Sequence, residues 1–565
     1  MQNLIPYLNF YYIFVLRKHK YLMKKILLFL FFSQFCFSQQ WSISFAERSA
    51  LISIYNSTSG EQLWSQKWDL TKDPKTWYGI KVKNGNVTEI NLRGNSLKGS
   101  FPSVSGFSKL QKLDLSSNQL SGDILPAISS LTNLVRLDIS NNRLTGDPTT
   151  AILPLSNLQE ISVGNNQFVF ADINTFLQNF PSLKVLDLSH TSLTAVPQNI
   201  STLTNLESLN LSNNMLSQNF SKLSPLIKLT ELNLSGNQLT RIPTELASLT
   251  SLTSLDVSHN LFSTNYATVL TSLKKLEWLS LGSNQITIFP AELTQLKDLI
   301  HLNISDNKIS GGFESLLPLK QLEQIYLDKN LISGNFPPAL LQFEKLQMVS
   351  LTGNQLSGEI PENIPALTFL ENNRFTKQEI KNFILREKAL ADFTYSPQRY
   401  DEPKTVYASL GGSASLPQSI SGSDYQFAWF KNLDQKTAAS AESYYISRVE
   451  EEDYTDYICE AYVFEKLPRE LMEISFFREP VTLVKDLATA EINRDLVVYP
   501  NPATDFINIK TTKLDIEKVF IFDLSGKLLI SEKSRRINIS HLPSATYVIS
   551  IKTSDGLKSF KFIKQ

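Results

Sequence analysis

Leucines return along this chain on a fixed frame, L-x-x-L-x-L-x-x-N-x-L, in units beginning at Val87, Leu110, Leu134, Leu158, Leu183, Leu206, Leu229, Leu252, Leu276, Leu299, Leu322 and Leu346. The twelve units are 23 to 25 residues long, and a degenerate thirteenth ends in E-N-N-R-F at Phe375. Such a period predicts a solenoid, in which each unit buries its apolar face against its neighbours. Within a unit L-x-L alternates with period two, so the leucines of a short strand point inward and the residues between them outward. Stacked in register, these strands predict one long parallel sheet. The chain must turn after each strand, and a buried turn needs its peptide groups satisfied. Asparagine carries donor and acceptor on a short side chain. A column of it, Asn95, Asn118, Asn142, Asn166, Asn214, Asn237, Asn260, Asn284, Asn307, Asn330 and Asn354, is predicted to bond successive turns. Only the fifth unit departs, with Thr191.

These residues resemble the leucine-rich repeat family over residues 87–375. The resemblance implies an α/β solenoid, a horseshoe with a parallel β-sheet. L-S-G-D-I, I-S-G-N-F-P and L-S-G-E-I-P near the ends follow a longer, plant-type form, whereas L-T-A-V-P and L-T-R-I-P in the middle follow a shorter one. That predicts curvature varying along the array. A solenoid exposes apolar ends unless they are covered. Residues 39–86 resemble the amino-terminal cap of plant-type repeat proteins, with Trp64, Trp68 and Trp77 as its packing residues. Val82 stands where that family often has a cysteine, so the cap is expected to be held by apolar contacts alone. Residues 376–392 are expected to form the other cap and a linker, with Y-S-P-Q-R-Y-D-E-P-K-T-V-Y marking a boundary by its prolines and charges.

Beyond the repeats, residues 393–485 alternate short apolar runs with turn-rich stretches, which predicts an all-β sandwich. Trp429 lies in Y-Q-F-A-W-F-K, and Asp453, Thr455, Tyr457 and Cys459 follow at the spacing of D-x-[GA]-x-Y-x-C. This is similar to the signature of immunoglobulin-like domains. It implies a central Trp429, a corner supported by Asp453, and a Tyr457 hydroxyl bonded to backbone. The equivalent of the partner cysteine falls near Gln418, so no disulfide is expected and Cys459 reads as a buried core thiol.

After a linker at 486–495, residues 496–565 hold apolar strands separated by P-N-P, S-G-K and D-G turns, predicting a second, small all-β domain. Its blocks resemble, in order, the carboxy-terminal sorting domain of the type IX secretion system. Pro500, Asn501, Pro502, Gly526 and Tyr547 carry the motif, and Ala545 stands where the family usually has glycine. The resemblance implies the type IX secretion machinery as a partner, transfer across the outer membrane, removal of the tail, and attachment to the surface or release.

Composition sharpens this picture at three points. The stretch M-K-K-I-L-L-F-L-F-F-S-Q-F-C-F-S-Q-Q from Met23 has the layout of a secretory signal peptide, so residues 1–38 are expected to be leader, with the true start at Met23. A membrane anchor is the competing reading, but the run Ile26–Phe32 is short for a bilayer span and no later segment could serve. Charges balance at 54 basic and 54 acidic residues, yet without the leader 49 face 54, and without residues 496–565 as well 38 face 48. An acidic exported portion argues against a nucleic-acid partner. With Cys36 in the leader, Cys459 is the one cysteine left, so neither an internal disulfide nor a cysteine metal cage is expected.

No H-E-x-x-H, P-loop or dinucleotide fingerprint appears. D-L-S-H at His190 and D-V-S-H at His259 juxtapose Asp, Ser and His. Adjacent residues of a strand point to opposite faces, however, and no nucleophile elbow or oxyanion loop accompanies them, so no catalytic residue and no cofactor are expected. Information lies instead in the outward rows. One reads Asn91, Asp114, Asp138, Ser162, Asp187, Asn210, Asn233, Asp256, Ser280 and Asn303 before Tyr326 and Ser350, a small polar stripe needing only solvation down to Asn303. The other ends in Trp278, His301, Gln324 and Met348 with Tyr326 beside it, a candidate ligand-binding patch. The competing explanations are that this patch packs against the sandwich from residue 393, folded back over the last repeats, or that these residues fall together by chance. The expected function is a secreted, surface-displayed recognition or adhesion protein that takes a protein or glycan on the concave face; an exported hydrolase and a passive structural component are the alternatives.

Overall fold

Each outward residue flanked by leucines becomes the edge of a three-residue strand in the computed structural model, which describes residues 41–124, 128–263, 266–386, 392–468, 471–486, 496–511, 514–524, 526–554 and 556–565. The expected leader therefore lies outside the described residues, as does most of the 486–495 linker. The chain divides into two units: one runs to Ile332 and adds Pro337–Leu351 and Asn363–Thr368, and the other comprises Ser333–Phe336, Thr352–Glu362 and Phe369–Gln565.

The first unit opens with the helix Phe45–Ser57, whose N-terminus is capped by the Ser44 hydroxyl accepting from Glu47 N at 3.2 Å. Buried Glu47 accepts in turn from Val87 N at 3.0 Å, tying the cap to the first repeat. Trp64, Trp68 and Trp77 are all buried, with ring centroids 4.9 and 4.8 Å apart in sequence order. Their indole N–H groups donate to the carbonyls of Thr58, Tyr78 and Asp69. Half-buried Val82 lies in the hairpin Ile80–Lys83/Asn86–Asn91 that begins the sheet.

From there the sheet is parallel. Strands Lys112–Asp114, Arg136–Asp138, Glu160–Ser162, Val185–Asp187, Ser208–Asn210, Glu231–Asn233, Ser254–Asp256, Trp278–Ser280, His301–Asn303, Gln324–Tyr326 and Met348–Ser350 follow in chain order. Pairing is in frame throughout, leucine beside leucine, as in Leu232 beside Leu255. These central residues are almost wholly inaccessible, which supplies the main driving force for stacking.

Behind the strands runs the asparagine ladder. Asn118 Oδ1 accepts from Asn95 N and Leu97 N, while its Nδ2 donates to the carbonyls of Leu92, Leu115 and Ser116. Asn214 repeats all five bonds one repeat after the interruption, with Thr191 N and Leu193 N as its donors. The Thr191 hydroxyl reaches Leu188 O at 2.6 Å and Asn214 Oδ1 at 3.3 Å but cannot span the turn as an asparagine amide does, so one rung is partly missing.

The longer repeats form a second, four-stranded sheet from Lys98–Ser100, Gln119–Gly122, Arg143–Gly146 and Gln167–Phe168. Glycines with positive φ, such as Gly146 at 84°, let the chain take that path. The shorter middle repeats lack those glycines and use 3-10 turns instead, at Gln198–Thr202, Phe220–Leu223, Thr244–Ser248, Thr268–Ser272 and Ala291–Gln295. This sheet thus ends at the repeat before Thr191.

In the second unit, the helix Lys377–Arg386 buries Ile380, Phe383 and Ile384 and begins with reciprocal bonds between Thr376 and Glu379. Lys377 pairs with Asp424 and with Glu465, and Lys381 also pairs with Glu465. The proline-rich stretch read as a boundary is structured. Fully buried Gln398 donates to Leu370 O and Tyr395 O and accepts from Phe375 N. Arg399 N donates to Asn373 O, which bonds the strand Gln398–Tyr400 to the degenerate repeat.

That strand lies beside Leu471–Arg478, followed by Asp456–Lys466, Gln426–Lys431 and Gln435–Lys436; Lys404–Ala408 pairs with Val481–Lys485, and Ala414–Leu416 with Tyr444–Ile446. Trp429 is fully buried and donates to Ala441 O. Asp453 accepts from Glu450 N and from Lys431 Nζ, and the Tyr457 hydroxyl donates to Asp453 O at 3.1 Å. Leu416, two residues before Gln418, shares the buried cluster with Trp429 and Cys459. Burial pushes the Cys459 thiol up to about 11, which keeps it protonated and unreactive at neutral pH.

The tail folds as two sheets. Leu496–Tyr499, Phe506–Thr511 and Arg536–Asn538 form one; Leu528–Glu532, Ile516–Phe522, Ala545–Thr553 and Gly556–Lys564 form the other. Their apolar faces share one core that includes Ile507, Val519, Ile549 and Phe562.

Candidate binding face

Two residues of each strand flank the buried central leucine and share the face away from the core. Parallel pairing in frame sets each beside its counterpart in the next repeat, so the outward residues form two straight rows. Trp278 lies beside His301, His301 beside Gln324, and Gln324 beside Met348. Tyr326 takes its place in the other row between Asn303 and Ser350. All five are half-buried, and the Tyr326 hydroxyl donates to Gln324 Oε1 at 3.1 Å. At about 4.8 Å per strand the row from Trp278 to Met348 is about 15 Å long.

The same rows carry a feature missed by reading the polar stripe as inert. A hollow of about 450 Å³ is lined by Ser208, Glu231, Ser254, Asp256 and Trp278, among others. Its origin is a size alternation across strands. Small Ser208 and Ser254 flank extended Glu231, and the bulky Trp278 follows Ser254 as a wall. The signal exists in the sequence only when residues about one repeat apart are read side by side.

Electrostatics divide the face. In the earlier repeats, cations meet anions: Lys81 with Glu89 at 2.9 Å, Arg136 with Glu160 at 3.1 Å, and Lys184 with Glu207 at 2.9 Å. Asp138 and Asp187 are desolvated, which raises their pKa values. Bonds to Ser140 and Ser189 oppose the rise, and neighbouring Asp114 adds to it at Asp138. Around the hollow the carboxylates have only neutral partners. Glu231 accepts from the Ser208 hydroxyl at 3.0 Å and Asp256 from Ser258 N at 3.0 Å. Among the described residues neither joins an ion pair, and no aromatic ring or cation stacks on Trp278.

His190 and His259 sit exposed in the turns after their strands, with φ of 58° and 51°. The preceding Asp187 and Asp256 accept from the backbone N–H of Ser189 and Ser258, so these carboxylates serve the turn. No group of three metal-binding side chains occurs among the described residues, and no described helix is long and apolar enough to cross a membrane.

The sorting-motif residues lie in the tail. Pro500 and Pro502 are exposed at its first turn. Asn501 between them donates to Lys561 O and accepts from Ile563 N, fixing that turn to the last strand. Gly526 occupies an exposed turn with φ of 85° and donates to Asp523 O. Tyr547 is buried, stacks on Phe562 at 5.6 Å and donates to Pro543 O at 2.8 Å. Ala545, in place of the usual glycine, is exposed in a strand and meets no obstacle there.

Family models agree with this layout. Leucine-rich repeat models match residues 109–131, 133–155, 156–216, 227–267 and 345–367, and a secretion system C-terminal sorting domain matches 497–565. Among solved structures, a leucine-rich repeat protein of Leptospira interrogans is 33% identical over 54% of this chain and 83% of its own, with a TM-score of 0.43. The Arabidopsis receptor kinase HAESA, solved with the peptide hormone IDA and the co-receptor SERK1, is 24% identical over 64% of this chain and 67% of its own, with a TM-score of 0.50. An internalin of Listeria monocytogenes is 24% identical over 49% and 87%, with a TM-score of 0.38.

Proposed function

Because the chain belongs to the leucine-rich repeat proteins and ends in a secretion-system sorting domain, we propose that it is exported to the cell surface and there recognises a protein partner on the concave face of its repeats. The observation that carries this reading is the row Trp278, His301, Gln324 and Met348 with Tyr326 beside it. Aromatic and polarisable side chains held on a stiff sheet lose little entropy on contact and bury much area. The acidic balance of the exported portion and the neutral-partnered carboxylates beside Trp278 favour a partner that is basic over this face. In this reading the immunoglobulin-like module is a stalk or second contact, and the protein acts by binding without catalysis. The sorting tail supplies the route out, with the type IX machinery engaging the edge around Pro500, Asn501 and Pro502.

The test is an array of extracellular proteins and glycans probed with the mature chain and with the double variant Trp278→Ala/Tyr326→Ala. Saturable binding to a protein that drops at least tenfold in the variant, with thermal unfolding moved by less than about 2 °C, is the expected result. Equal binding by both chains would remove the concave patch, and substrate turnover without retained binding would point to the hydrolase instead.

A further inference from the structure

The geometry points to the hollow beside Trp278 as a seat for an arginine side chain of the partner, a reading that rests on the concave face being the binding face. Three observations converge. First, the space itself: Ser254 is the direct strand neighbour of both Trp278 and Glu231, so the strands that carry these two side chains lie about 10 Å apart with only a hydroxymethyl group on the strand between them. Second, the wall: the Trp278 ring is half-buried and has no stacking partner among the described residues, and an indole face attracts a cation within about 6 Å. Third, the charge: Glu231 and Asp256 line the same hollow, and neither meets a described cation, whereas the outward Glu160 of an earlier repeat is paired with Arg136.

A guanidinium suits this arrangement better than an ammonium. It is planar, so it stacks on the indole, and its N–H groups lie in that plane and reach sideways to carboxylates. Glu231 and Asp256 occupy the two outward rows on adjacent strands, so they approach the hollow from two directions. A lysine would offer one point charge and no stacking plane. An anion would meet two carboxylates, and an apolar side chain would leave both of them desolvated without a counter-charge.

The experiment uses the mature chain labelled with fluorotryptophan, whose Trp278 resonance is assigned by its absence in Trp278→Phe. The probes are three blocked pentapeptides, Gly-Ser-X-Ser-Gly, in which X is arginine, lysine or citrulline. Citrulline keeps the planar shape of arginine and removes its charge. The arginine peptide is expected to shift the Trp278 resonance saturably, to bind at least fivefold more tightly than the citrulline peptide, and to rank above lysine. Glu231→Gln/Asp256→Asn should abolish that preference while leaving the unfolding midpoint in place. Asparagine already holds the Asp256 position in the two preceding strands, at Asn210 and Asn233. Equal shifts with arginine and citrulline, or none with either, would overturn the arginine seat. If the array partner nevertheless depends on Trp278 and Tyr326, the binding face stands and only the arginine assignment falls.

Discussion

The two halves of the concave sheet share one backbone and carry opposite surfaces. From the strand Asn86–Asn91 to Val185–Asp187, the outward rows hold Lys112, Arg136 paired with Glu160, Glu89 paired with Lys81 of the hairpin, and aspartates bonded into their own turns. From Ser208–Asn210 to Met348–Ser350 the rows hold no cation, an aromatic run and carboxylates with neutral partners. The leucine column runs through both halves, and the asparagine column does so with its one interruption at Thr191. The stack is therefore held by the inward residues of each strand, while the outward residues are left free to differ from repeat to repeat. A solenoid can change its surface from repeat to repeat because no outward side chain is needed to hold the stack.

The largest effect that would test this separation comes from the ladder. Asn118→Ala and Asn260→Ala, one in each half, are each expected to cost about 3 kcal/mol in urea unfolding, since several buried peptide groups lose their partner. Unequal costs would mean that the halves differ in scaffold as well as surface. Next is the interrupted rung. Thr191→Asn should restore it and raise stability by about 1 kcal/mol. A loss instead would show that the hollow beside it, which Thr191 lines together with Phe168, Phe170 and Val196, depends on the interruption.

The smallest effect concerns Asp138, whose carboxyl is raised by burial. A carboxyl with a raised folded-state pKa costs stability while ionised, and the cost disappears as pH falls through that pKa. Asp138→Asn should therefore raise the melting temperature at pH 7 by about 1–3 °C, with wild type closing the gap as the pH is lowered toward 4. Parallel curves for the two proteins would assign the effect to something other than the charge.

Much of this was legible from local pattern. The strands and the asparagine bonds follow from residues at fixed spacing, and the tryptophan packing and the Tyr457 hydroxyl bond are what the family resemblances implied. The hollow was not: Trp278 stood out as an outward aromatic, but Ser208, Glu231 and Ser254 are each unremarkable in their own repeat, and only their order across the strands opens the space. Gln398 was also hidden. It stands among prolines and charges that read as a boundary, yet its amide is buried and fully bonded to residues up to 28 positions away.

By itself the sequence determined the repeat frame and the identity of the inward and outward faces, while the sorting domain in the tail was marked by its resemblance to a known family. Periodicity dictates the frame and the faces, since a spacing of two or of one repeat has a single geometric consequence. Only the tertiary structure decided which outward residues touch one another, where a size difference leaves a hollow, and which charges find a partner. Those outcomes depend on side-chain volumes and distances across strands, which a linear pattern does not contain.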